Sequence, residues 1–245
     1  MKEQIASEFR KLTSTRSASW LLAGLLALTG IGTVGVLADR SAEDLARPLQ
    51  EQAFLLFPLT TATIFTLILG IRSFTDEFRH GSIVPTLLAS PDRRRVLGAK
   101  IVTIGAAAVV YATAAMGVSL AVGATGLLLE GVEVTWSAGP LAAMAGRLVA
   151  ASVLWSAIGV GLGLAVRHQV AAIVGALVWT MVGESAIAAL APDLARYLPG
   201  SAGSAIVGVQ ATDLLAPGIA VAVLAGWAAL ATLTGARLMQ RRDIA

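Results

Sequence analysis

The chain has 245 residues, 56% of them hydrophobic and only 13% charged, with 18 Lys and Arg against 15 Asp and Glu. Soluble domains carry about 25% charged residues, so most of this chain belongs in lipid. Its net charge of +3 then marks a membrane face rather than a nucleic-acid partner, and with no cysteine it has no disulfide, thiolate metal site or cysteine nucleophile.

The first 16 residues, MKEQIASEFRKLTSTR, place Ile5, Phe9 and Leu12 at helical spacing. Lys2, Glu3, Glu8, Arg10 and Lys11 fall largely elsewhere around the same helix. The pattern predicts an amphipathic helix lying in the headgroup layer. Six apolar segments follow that qualify as spanning helices, which need roughly 20 residues. They are 20–37, 53–71, 97–128, 140–166, 170–190 and 217–236. Val36-Leu37-Ala38 resembles a signal cleavage site, but the run before it is too long for a signal core, so the segment reads as a retained span. The third and fourth segments exceed a straight crossing and are expected to tilt, or to break at Gly117, Gly123 or Gly126. No internal repeat is visible, and the chain reads as a single all-α membrane domain.

Orientation follows from Lys and Arg. With the N-terminus in the cytoplasm, Lys2, Arg10, Lys11, Arg16, Arg72, Arg79, Arg93, Arg94, Arg95, Lys100, Arg167, Arg237, Arg241 and Arg242 lie on the inner side, 14 of the 18 basic residues. Arg40, Arg47, Arg147 and Arg196 remain outside. The acids divide the other way, 6 inside and 9 outside. The positive-inside rule therefore predicts a multi-pass protein of the cell membrane with both termini in the cytoplasm.

Between the second and third spans lies a polar, basic cytosolic segment, 75–95, whose heart is EFRHGSIVPTLLASPDRRR, Glu77 to Arg95. No catalytic domain accompanies it. GxxxxGK[ST] and HExxH are absent, which removes P-loop ATP binding and that zinc site from this chain. Ser201, in Pro199-Gly200-Ser201-Ala202-Gly203, only half resembles a nucleophile elbow, because Pro199 stands where the first Gly belongs and no outer His can serve as base. The chain therefore reads as no enzyme, with no cofactor or metal of its own. Gly159, Gly161 and Gly163 sit inside an apolar helix with no strand before them. Gly159 and Gly163 share a face and suit close helix packing. Glu184 in the fifth span and Arg147 in the fourth lie at comparable depth. An acid inside the bilayer is costly, so the two read as an intramembrane ion pair or as the charged lining of a translocation path, with a Glu184 wetted by the outer interface as the plain alternative. Arg93, Arg94 and Arg95 set topology and attract anionic lipid.

The run EFRHGSI, followed by TLL and then by Pro91, Arg93 and Lys100, resembles the cytosolic signature of type-2 ATP-binding-cassette (ABC) exporter permeases. SEFRKLTSTR is similar to their amphipathic elbow, AIGVGLGLAVRHQ to the end of their fourth helix, and RRDI to their usual ending. In that order the pieces span nearly the whole chain. The resemblance implies a six-helix permease that dimerises in the membrane, with a second copy or with a paralogue. Two separate ATPase subunits would bind below it and hold the ATP and Mg. The implied activity is alternating-access export of a hydrophobic or amphiphilic substrate: a drug, antibiotic, peptide or lipid. The implied coupling helix covers 75–88, with Glu77, Phe78 and Arg79 on the docking face and His80 and Gly81 following. Pro85 removes a backbone donor there and argues against an unbroken helix. Short helices are implied in the extracytoplasmic segment 191–216, with Tyr197, Leu198 and Pro199 near the exit. The dimer surface is expected on the elbow and first span, then on the fifth. On this reading Glu77→Lys leaves folding intact and uncouples transport from ATP hydrolysis. The alternative is a stand-alone secondary carrier or a non-transporting sensor or scaffold. A carrier shows ionisable residues near the midplane, and Glu184 and Arg147 are the only clear candidates.

Overall fold

A computed structural model of the chain describes residues 2–40, 50–89, 92–208 and 214–241. Among them the secondary structure is helical, without a strand. α1 (Lys2–Ser14) stops at Thr15, whose extended backbone turns the chain into α2 (Arg16–Ala38). α3 (Gln50–Arg79) and the short α4 (Ile83–Ala89) form a helix–turn–helix, and α5 (Arg93–Leu129) and α6 (Ala138–Val166) follow. α7 (Gln169–Val178) passes through a π-helical turn, Trp179–Gly183, into α8 (Glu184–Leu190). α9 (Pro192–Ala195), α10 (Pro199–Val207) and α11 (Pro217–Arg241) complete the chain. Six stretches are long and apolar enough to cross a membrane: α2, most of α3, α5, α6, the α7–α8 unit and α11.

The second span is expected to end near residue 71, but α3 continues through Arg79 and carries its polar end beyond the apolar run. α5 is longer than expected as well and runs unbroken through Gly117, Gly123 and Gly126. Its 37 residues rise about 55 Å at 1.5 Å each, so it outreaches a hydrocarbon core of roughly 30 Å. Gly123 and Gly126 make room for neighbours instead of breaking the helix. A Cβ on Gly123 would sit 3.1 Å from the Phe54 ring, and one on Gly126 would sit 2.2 Å from Leu37. Asp92 starts α5 by accepting the amides of Arg94 and Arg95 at 3.0 and 3.3 Å, which satisfies two donors of the first turn.

α6 is the hub. Gly159 and Gly163 lie against α3, where added Cβ atoms would come within 2.2 Å of the Leu67 carbonyl and 2.3 Å of the Ile71 carbonyl. Gly161 meets α11 in the same way, 2.4 Å from Ala231. Bare backbone on both sides lets three helices approach as closely as small-residue seams allow. Hydroxyls stitch the outer helices on. Ser119 donates to the Phe54 carbonyl at 2.6 Å and lies 3.0 Å from Thr33, while Tyr111 donates to the Ala18 carbonyl at 2.6 Å. Arg93 donates to the Met239 carbonyl and ties the start of α5 to the end of α11. α2 and the α7–α8 unit are the least buried spans.

Candidate functional site

Four charged side chains close into a ring where α1, α3 and α5 meet. Lys100 Nζ lies 2.6 Å from Glu8 Oε2 and 2.9 Å from Glu77 Oε1. Lys11 Nζ lies 2.7 Å from Glu8 Oε1 and 2.9 Å from the same Glu77 oxygen. Signs alternate around the ring and cancel. Glu77 is 7% exposed and Lys100 3%, so the charges are held by one another rather than by water. Lys11 uses a further donor on Thr86 Oγ1 at 3.1 Å, which brings α4 into the cluster. Burial alone would push the Glu8 carboxyl up, but the Lys100 charge and the hydrogen bonds from Lys100 and Lys11 outweigh it and hold the group below its ordinary 4.5. Burial likewise pushes the Lys11 ammonium down. Hydrogen bonds and charge from Glu8 and Glu77 outweigh that and keep it above its ordinary 10.5.

The ring dictates how α1 lies. Glu8 is buried and Lys11 and Leu12 are half-buried, whereas Phe9 is exposed. The expected stripe of Ile5, Phe9 and Leu12 is therefore split, because Glu77 and Lys100 offer charge partners that only the Glu8–Lys11 face can meet.

Aromatic rings extend the cluster sideways. Lys100 Nζ sits 4.9 Å from the centroid of Phe74, Phe74 stacks on Phe78 at 6.4 Å, and the Arg167 guanidinium lies 4.9 Å from the centroid of Phe78. Two cation–π contacts thus bracket an aromatic pair. Arg167 caps α6 in the left-handed conformation, φ 61°, and so links the α6–α7 corner to the end of α3.

The segment expected to couple is accordingly two-sided. Glu77 faces inward and is absent from any exposed face; Phe78 is half-buried under Arg167. Arg79, His80 and Gly81 are exposed. Gly81, at φ +67°, makes the turn, a conformation that glycine adopts without strain. An unbroken helix over 75–88 is thus replaced by α3, a turn and α4. The break falls at Gly81. Pro85 stands in the first turn of α4, where its missing donor costs nothing. α4 shows Val84 and Leu88, the latter 78% exposed, and residues four apart share a face. Pro91, which belongs to the family-like run, lies outside the described residues.

At the far end of the molecule Glu184 is 5% exposed and forms no ion pair with Arg147 among the described residues. Its carboxylate accepts the Gly200 amide at 2.9 Å on both oxygens and the Ser201 amide at 3.2 Å. Those amides are the start of α10, whose first residue is Pro199. Arg147 lies instead beside Gly208, at the end of α10. Glu184 and the π turn border a cavity of about 450 Å³, together with Thr60, Thr63, Thr180 and Ser204. Pro199 is buried and Leu198 half-buried, while Tyr197 is exposed beneath Arg196 and accepts from Trp227 at 2.8 Å through its carbonyl. The expected segment 191–216 holds α9 and α10; its residues 209–213 lie outside the described residues, as do the last three residues of RRDI. No cluster of three or more His, Asp or Glu able to hold a metal occurs among the described residues.

Sequence reasoning singled out Glu77 and Glu184 but did not find the partners that hold them here. It missed the Glu8–Lys100 contact, whose partners stand 92 positions apart. The available signal was Lys100 itself, a cation near the start of an apolar run, which demands a counter-charge. Pro199 likewise flags a helix start with free amides for Glu184. No family model matches the chain, and no curated protein is similar enough to count as a relative.

Proposed function

We propose that this chain is the membrane permease subunit of an ABC exporter, moved by separate ATPase subunits bound at its cytoplasmic end. In this reading the cell membrane holds all six spans, α1 lies at the inner interface, and both termini face the cytoplasm. ATP and Mg belong to the partner. The observation that carries the reading is the division of labour at the end of α3. Arg79, His80 and Gly81 face out with Val84 and Leu88, a mixed charged and apolar patch suited to a protein groove. Two residues before Arg79, Glu77 is clamped to α1 and α5.

A push on the α3–α4 turn is then delivered to three elements together. α3 carries it along the α6 seam, Lys100 carries it into α5, and Lys11 carries it into α1. The permease alternates between inward- and outward-facing forms because the ATPase favours one and substrate binds them unequally. α2 and the α7–α8 unit, the least buried spans, offer the surface for a second copy or a paralogue. Gly159 and Gly163 do not, because α3 already fills that seam. A secondary carrier needs an ionisable group free to bind its ion, and Glu184 is committed to backbone amides.

Affinity purification of the tagged chain from its own membranes tests this, with mass spectrometry to detect a chain carrying GxxxxGK[ST]. Wild type is expected to bring down such an ATPase. Arg79→Glu is expected to lose it, since reversal at a docked charge costs several kcal/mol and reversal at a solvated one costs about nothing. Equal recovery, or no such ATPase with either, overturns the reading.

A further inference from the structure

A cavity of about 720 Å³ opens at the corner between α1 and α2 and is walled by α3 and α5. Its lining holds five basic residues, Lys11, Arg16, Arg72, Arg79 and Lys100, and three acidic ones, Glu8, Asp76 and Glu77. The charge ring is neutral within itself. Arg72 binds Asp76 through two nitrogens at 3.0 and 3.2 Å. That leaves Arg16 and Arg79, both exposed and with no acidic partner among the described residues. The lining therefore includes two surplus guanidiniums. Leu21, Leu69 and Ile104, farther into α2, α3 and α5, add apolar surface.

A guanidinium binds phosphate oxygens in a planar, bidentate fork. The apolar lining accepts a hydrocarbon chain, which a free inorganic ion does not supply. The position agrees with both. The cavity lies where α1, the helix predicted for the headgroup layer, turns into the spanning α2, so a phosphate on the rim places its acyl chains against the spans. We propose that this corner holds one anionic phospholipid, with its phosphate on Arg16 and Arg79 and an acyl chain along Leu21, Leu69 and Ile104. The lipid would cover the open side of the charge ring and keep water from Glu8 and Lys11. This inference rests on the membrane placement proposed above and shares Arg79 with the proposed ATPase contact, so it is tested on the permease chain alone.

Native mass spectrometry of the detergent-purified chain alone, titrated with phosphatidylglycerol or phosphatidylcholine, tests it with no ATPase present. A failure here therefore leaves the exporter reading untouched. Wild type is expected to retain one phosphatidylglycerol and to prefer it to phosphatidylcholine. Each basic residue near a membrane surface contributes about 1 kcal/mol toward anionic lipid, so Arg16→Gln/Arg79→Gln is expected to weaken retention about 30-fold. The control, Arg94→Gln/Arg237→Gln, removes the same charge from exposed positions outside the cavity and is expected to retain the lipid. Equal affinity of wild type for the two lipids overturns the proposal and needs no variant. Equal loss in both double variants overturns it too, as general attraction. Displacement of the lipid by millimolar glycerol phosphate reassigns the corner to a soluble phosphate and equally overturns it.

Discussion

Two buried acids, Glu77 and Glu184, solve the same problem at opposite ends of the molecule by different means. Glu77 is answered by full charges from two other helices, Lys11 on α1 and Lys100 on α5. Glu184 is answered by the amides of a helix that begins 15 residues later. The first solution binds distant elements into one body and depends on every charge in the ring. The second is a local brace between α8 and α10, and it needs only an acceptor, since the groups to be satisfied are backbone amides of a helix's first turn. A buried ring of full charges adds little net stability over apolar packing, yet removing one member is costly because the others stay unpaired. Such a ring suits an element that must move as a unit. A carboxylate on backbone amides suits one that must hold its shape.

The sharpest way to break the contrast is Lys100→Met. It leaves Glu8 and Glu77 with Lys11 alone, and thermal unfolding in detergent is expected to show a loss of about 3–5 kcal/mol. Glu77→Lys should be at least as damaging, because it places three cations around Glu8. The structure thus removes the expectation that this substitution leaves folding intact. Glu184→Ala is expected to cost less, about 1–3 kcal/mol, the penalty for amides left without an acceptor. Glu184→Gln should recover most of it, since a neutral carbonyl still accepts. Equal losses for Glu184→Gln and Glu184→Ala would show that charge matters there as well and would erase the contrast.

The smallest expected effect is on pH. Glu8 is depressed, so its stabilising contribution is present above its ordinary 4.5 and fades as pH falls through its lower folded value. Lys11 is raised, so its contribution is present below 10.5 and fades as pH rises through its higher folded value. The docking of α1 should therefore be flat between these limits and loosen at both extremes. The chain has no cysteine, so a fluorophore on Phe9→Cys reports this directly by anisotropy. A midpoint within the flat range would contradict the ring.

What was legible in the sequence follows a physical line. Spans are legible because a bilayer demands about 20 apolar residues in a row, and the six helices that hold them start within four residues of the expected positions. The end of α3 was misplaced because polar residues that leave the bilayer can continue a helix as easily as end it. The π turn at Trp179–Gly183 has no proline to announce it. Depth along a span can be counted, which is why Arg147 and Glu184 looked like partners. Rotation about the helix axis cannot be counted without knowing which neighbour each face meets. The ring was hidden for the same reason, since one sequence does not state that residues 8, 77 and 100 converge.

In the proposed exporter the exposed turn receives the ATPase while the buried ring passes its motion on. ATP hydrolysis by the co-purified complex in lipid nanodiscs separates the two roles, compared with hydrolysis by the ATPase alone. Arg79→Glu is expected to lose the ATPase itself. Glu77→Gln, which leaves the exposed turn intact, is expected to keep the ATPase bound while the permease no longer alters its rate. A Glu77→Gln complex that binds and hydrolyses as wild type does would contradict the account, because the ring would then have no part in coupling.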